Sequence, residues 1–88
     1  MTDKKILYVE DDLSLIEGLK FTLEKNGFTV DNARTVKEAY RYFPAGRYGL
    51  LLLDVTLPDG TGFDICREAR KDSSVPIIFL TASDEEIR

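Results

Sequence analysis

The stretch Leu50-Leu51-Leu52-Leu53-Asp54 decides the fold of this 88-residue chain. Four leucines run unbroken into a carboxylate, and Val55-Thr56-Leu57-Pro58-Asp59-Gly60 follows as a turn. A short apolar run bounded by Pro and Gly reads as a strand buried on both faces, as in parallel sheets. Such a strand has no use for an acid along its length. Its carboxyl end, however, is where an open α/β sheet places its ligand crevice. Asp54 is therefore the first candidate functional residue. The plainer reading is that Asp54 opens a Pro-Asp-Gly turn, where Asp is common anyway. The rest of the chain has to decide between the two.

Working outward, three more apolar runs flank this one. Lys5-Ile6-Leu7-Tyr8-Val9 predicts a buried first strand that ends on Glu10-Asp11-Asp12. Phe28 to Ala33 predicts a short second strand, and Pro76-Ile77-Ile78-Phe79-Leu80-Thr81 a fourth. Helical stripes lie between them. Ile16, Leu19 and Leu23 repeat at three- and four-residue spacing, and Asn26-Gly27 stands where a left-handed cap is wanted. Thr35 and Glu38 form a capping box ahead of Val36, Ala39, Tyr40 and Phe43, with Pro44 as the stop. Thr61 caps a third helix with Asp64 three residues on, and Phe63, Cys66 and Ala69 are expected on its buried face. The order β-α-β-α-β-α-β makes an α/β fold with a parallel sheet and right-handed crossovers.

Composition narrows the function. The chain is 43% hydrophobic and 32% charged, which suits one small globular domain. Its net charge of -4 and lack of a basic patch argue against direct contact with nucleic acid. No apolar run approaches membrane-spanning length. There is no histidine, which removes imidazole catalysis, phosphohistidine relays within the chain and most zinc sites. Cys66 is the single cysteine; a lone thiol suits a cytosolic setting, and its position suits core filling.

In a parallel sheet all carboxyl ends lie on one edge. Glu10, Asp11 and Asp12 end the first strand, Asp54 the third and Thr81 the fourth. If the first and third strands are neighbours, Asp11 or Asp12 comes close to Asp54. Two carboxylates about 4 Å apart repel by about 4 kcal/mol at an effective dielectric near 20. A cation between them, or a proton on one, removes that cost. All-oxygen ligands suit Mg²⁺, or equally Mn²⁺. Asp12 has a competing role as the N-cap of the first helix, but that role explains neither Asp54 nor Thr81.

Glu10-Asp11-Asp12 after the first strand, Asp54 with Pro58-Asp59-Gly60 behind it, and Thr81-Ala82 after the fourth strand together resemble a bacterial response-regulator receiver domain. The resemblance covers essentially residues 1–88. It implies a flavodoxin-like sheet of order 2-1-3-4 in the strands present, a cytoplasmic signalling role rather than an enzyme, and Asp54 as phospho-acceptor from a sensor histidine kinase. It further implies that Asp11, Asp12, Asp54 and the Thr56 carbonyl hold Mg²⁺, that Thr81 and Ala82 contact the phosphoryl group, and that Glu10, Pro58 and Gly60 support the loop. An output domain, of DNA-binding type, is the partner expected in the full-length protein.

Two departures follow from the same resemblance. Receivers continue through a fifth strand, which carries a lysine and a switch aromatic, and through a last helix. None of these is present, and Ser83 and Glu86 announce a helix that the chain does not complete. The expectation is a truncated receiver whose fourth strand becomes an open edge. Exposing roughly 400 Å² of apolar surface there would forfeit about 10 kcal/mol, so self-association by swapping or edge pairing is expected. A fragment that assembles without signalling would carry the same site residues. A haloacid-dehalogenase-like phosphohydrolase also places an aspartate after a strand, but it wants a second acid two residues later, where Thr56 stands.

Overall fold

In the computed structural model, which describes residues 4–80, the leucine run is a strand at the middle of a parallel sheet. In chain order the elements are β1 (Lys5–Val9), α1 (Leu13–Lys25), β2 (Thr29–Ala33), α2 (Val36–Arg41) and β3 (Leu50–Asp54). A two-stranded antiparallel hairpin follows, made of β4 (Thr56–Leu57) and β5 (Gly60–Thr61); then come α3 (Gly62–Ala69) and β6 (Ile77–Leu80). The four long strands lie in the order β2-β1-β3-β6, all parallel. With β6 as the fourth long strand, this is the expected flavodoxin-like order. Thr81, Ala82 and the Ser83–Glu86 capping box lie outside the described residues.

The leucines alternate between two layers, as a period of two requires. Leu51 and Leu53 pack with Leu7, Val9, Ile65 and Ala69 under α2 and α3. Leu52 packs with Ile6, Tyr8, Val30 and Ile16 under α1, with Leu50 at the margin. Burying each leucine contributes about 1.5–3 kcal/mol, which is why no polar residue interrupts the run. The α1 stripe is as expected, with Ile16 buried and Leu19 and Leu23 partly so. Gly27 takes φ +94° just after that helix, a conformation in which a Cβ would be strained.

Three local expectations need correcting. Strand β2 starts at Thr29, and Phe28 packs beside it without joining. Helix α2 ends at Arg41, so Phe43 lies beyond it, and Tyr40 is exposed. Helix α3 starts after Thr61 as expected and buries Ala69 as expected, but its buried stripe is Gly62, Ile65 and Ala69, so the core-facing side is turned by one position from Phe63 and Cys66. Phe63 instead stays half exposed and lays its ring against Phe79 of β6, 4.7 Å between centroids. Cys66 is a free thiol at the margin of the core. Among the described residues, no helix is long and apolar enough to cross a membrane.

Candidate metal centre

Sheet register assembles the site. Val9 lies opposite Leu53, so the next residues of the two neighbouring strands, Glu10 and Asp54, emerge side by side. On the other flank Leu80 of β6 pairs with Asp54. Glu10 is 3% exposed and Asp54 8%, so both carboxyls are largely out of water. Carboxylate oxygens of Glu10, Asp11 and Asp54 all lie within 4.8 Å of one another.

The expected partner Asp12 is elsewhere. Its Oδ1 accepts from the backbone N–H of Ser14 (3.0 Å) and Leu15 (3.3 Å) and from the Ser14 hydroxyl (3.0 Å). Asp12 is thus the N-cap of α1, and those donors hold its carboxyl below the usual range, the Ser14 hydroxyl foremost. The acid that takes its place beside Asp54 is Glu10, which the sequence reading assigns only to loop support. Register makes the distinction: Glu10 follows Val9, the residue opposite Leu53, and so stands beside Asp54.

Burial is the main force raising the carboxyls of Glu10 and Asp54 above their usual range. For Glu10 the Asp12 N–H, 3.1 Å from Oε2, works against burial, and the negative charge of Asp54 adds to it. For Asp54 the hydrogen bond from Glu10 and the Thr56 and Val55 amides pull down, while the charge of Asp11 pushes up. Burial and the crowding of three acids together leave both carboxyls raised in the metal-free fold. Beneath them Tyr8 donates from its hydroxyl to the Leu15 carbonyl (3.4 Å), and burial with the acids above pushes it up to about 12.

The turn behind Asp54 is braced from three sides. Leu57 is buried, and β4 pairs with β5 across Pro58-Asp59. The Asp59 carboxylate accepts from the N–H of Val36 (2.7 Å) and Lys37 (3.1 Å), capping α2 from another part of the chain. Thr35 caps the same helix through the Glu38 N–H, while Glu38 accepts from the Arg34 N–H and not from Thr35. The Thr61–Asp64 capping box starts α3 as expected, and Arg67 pairs with Asp64. Gly62 donates to the Val55 carbonyl (2.9 Å), and a Cβ on it would come 2.5 Å from the Asp54 carbonyl oxygen. On the β1–α1 side the Arg34 guanidinium donates to the Asp11 carbonyl (3.2 Å).

The donor set fits a small hard dication. Oxygens bound at about 2.1 Å in an octahedron stand about 3 Å apart when adjacent and about 4.2 Å when opposite. Three buried or half-buried carboxylates within 4.8 Å need only small shifts to meet that spacing. No neighbouring cation neutralises them otherwise: among the described residues none of the lysine or arginine ion pairs involves Glu10, Asp11 or Asp54.

Comparison with known proteins gives one answer. The family model described as the response regulator receiver domain matches residues 6–88. The alkaline phosphatase synthesis transcriptional regulatory protein PhoP of Bacillus subtilis (strain 168) is 38% identical over 85 residues, which are 96% of this chain and 35% of PhoP. The chain thus spans about a third of the length of the curated relatives it matches. The non-phosphorylated HemR receiver domain from Leptospira biflexa superimposes with a TM-score of 0.82 at 39% identity, covering 96% of this chain and 71% of that domain's chain. TrrA of Thermotoga maritima, solved in complex with Mg²⁺ and BeF, gives 0.82 at 36% identity, covering 93% and 72%. TrrA has also been solved in complex with the histidine kinase ThkA.

Proposed function

Because the chain belongs to the family of response regulator receiver domains, we propose that Asp54 accepts a phosphoryl group from the phosphohistidine of a sensor kinase. The observation that carries this reading is the buried cluster of Glu10, Asp11 and Asp54 at the carboxyl edge of β1 and β3. An Asp54 oxygen forms the new bond to phosphorus as the phosphorus–nitrogen bond to the kinase imidazole breaks. Carboxylate and phosphoryl group are both anionic, so the attack needs their charge screened. Mg²⁺, or Mn²⁺, held by Glu10, Asp11 and Asp54 with the Thr56 carbonyl as a further ligand, supplies that screening when bound. A dication there would favour the ionised form of the carboxylates that hold it.

The Val55 and Thr56 amides, next along the chain, pull the Asp54 carboxyl down and so favour its ionised form for attack. Pro58 and Gly60 shape the turn that presents them. Thr81 follows directly on Leu80, the residue paired with Asp54, and we assign its hydroxyl and the Ala82 backbone to phosphoryl contact. Residues 1–88 are read as one receiver unit that works in the cytoplasm as a signalling domain and hands its state to a DNA-binding output domain. The relation to PhoP and to the sensory transduction protein RegX3 of Mycobacterium tuberculosis supports that output, and the TrrA–ThkA complex supports the kinase.

The test is intact mass after incubation with Mg²⁺ and a small-molecule phosphodonor, beside Asp54→Asn. One phosphate adduct, lost in the variant and without Mg²⁺, is expected. A folded protein that takes no adduct overturns the proposal. A second property is favoured by Ile78, 49% exposed on β6, whose outer edge pairs with no other strand among the described residues. Copies of the chain assemble through that edge. A sharp monomer peak in light scattering, at every concentration tried, removes this second reading.

A further inference from the structure

We propose that Asp59 is a positioning residue of the metal centre, acting through the hairpin that follows Asp54. This rests on the reading of Glu10, Asp11 and Asp54 as a Mg²⁺ site. Asp59 touches none of those three acids. Its carboxylate instead spans the first two N–H groups of α2, at 2.7 and 3.1 Å, and ties the tip of the β4–β5 hairpin to a different layer of the fold. The hairpin is only two residues long on each side, too short to hold its own shape. Its remaining braces are the buried Leu57, the Gly62 N–H on the Val55 carbonyl, and Gly60 against Val36, where an added Cβ would come 3.1 Å from Cγ2.

What this anchor fixes is the backbone between Asp54 and Leu57. That segment joins Asp54 directly to the hairpin and carries the Thr56 carbonyl assigned to the metal. Thr56 itself is exposed, so its place depends on the short pairing with Thr61 and on the braces of the hairpin. Removing the anchor lets the tip lift from α2 and turns that carbonyl away from Asp54. Groups that orient metal ligands from behind commonly carry a tenfold or larger share of metal affinity.

The experiment compares Asp59→Ala, Asp59→Asn and the distant core variant Leu23→Ala by Mg²⁺ calorimetry and by amide hydrogen exchange. Asp59→Ala is expected to bind Mg²⁺ about tenfold more weakly. It should also speed exchange at Val36, Lys37 and Gly62 relative to β1. Asp59→Asn keeps an oxygen for the α2 amides while losing the charge, so it should retain affinity within about threefold. Leu23→Ala should lower stability and leave affinity unchanged. Equal losses in Ala and Asn would make the effect one of charge, and an equal loss in Leu23→Ala would make it one of stability; either overturns the proposal. A wild-type protein that binds no Mg²⁺ removes the metal reading itself. The exchange pattern then decides the anchor alone, local speeding supporting it and uniform speeding overturning it.

Discussion

Replacing Asp54 by Asn should stabilise the metal-free protein at neutral pH while destroying its response to Mg²⁺. The three acids place carboxylate oxygens within 4.8 Å of one another. At that separation each ionised pair repels by about 3.5 kcal/mol at an effective dielectric of 20. Asp54 faces two such neighbours, and the raised carboxyls of Glu10 and Asp54 relieve part of the repulsion by taking up protons. A net gain of about 1–3 kcal/mol is therefore expected from the isosteric amide, raising Tm by at least about 4 °C in a domain of this size. The pH dependence has a definite sign. Burial raises the carboxyls of Glu10 and Asp54 in the fold. Their contribution is then fully present below the unfolded carboxylate range, near pH 4, and is lost as pH rises through the raised folded values. Wild type and Asp54→Asn should be close at pH 4 and diverge toward pH 7, the variant being the more stable. Mg²⁺ at about 1,000 times its Kd should reverse the order, since it adds about 4.1 kcal/mol to the wild type alone. Thermal unfolding followed by circular dichroism, with EDTA or Mg²⁺ at each pH, reads all of this. A metal-free variant less stable than wild type at pH 7, or a gap that does not change with pH, would refute the reasoning.

Two further outcomes are expected. Gly62→Ala places a Cβ 2.5 Å from the Asp54 carbonyl oxygen and 3.2 Å from Leu53 Cβ, so α3 must move off β3. A loss of about 1–3 kcal/mol should appear as a lower urea midpoint. Asp12→Ala removes the α1 cap and should lower Tm by a few degrees. Its Mg²⁺ affinity by calorimetry should stay within about twofold, since the carboxylate lost is a cap and not a ligand.

Much of this architecture was legible in the sequence because it depends on local pattern. The Leu50–Leu53 run, the Asn26-Gly27 stop and the Thr61–Asp64 box each state their element within a few residues, and the structure has all three. Asp54 was legible for the same reason: an acid ending an apolar run has few uses. The identity of its neighbour was not, because that depends on register. Asp11 and Asp12 differ from Glu10 by one or two positions, but only Glu10 follows the residue opposite Leu53. Asp59 was hidden for a different reason. Its partners Val36 and Lys37 belong to a helix more than twenty positions earlier, and no local motif marks a cap supplied from such a distance. Helix α3 shows how small an error rotates a face. Its start after Thr61 is as expected, yet its buried face is turned by one position, so Phe63 is exposed and Ile65 buried.

The strand order has a consequence for how the protein is made. Among the described strands β1 leaves the ribosome first, yet it lies inside the sheet with β2 on one side and β3 on the other. Ile6 cannot meet Leu50 until both intervening helices have been synthesised. Throughout that interval Ile6-Leu7-Tyr8-Val9 has no partner on the β3 side and must be shielded by chaperones or by transient collapse. Such long-range parallel pairing is also slow to nucleate. Formation of the acidic cluster is therefore a late event: Glu10 and Asp11 wait for Asp54, and the centre exists only once β3 has docked.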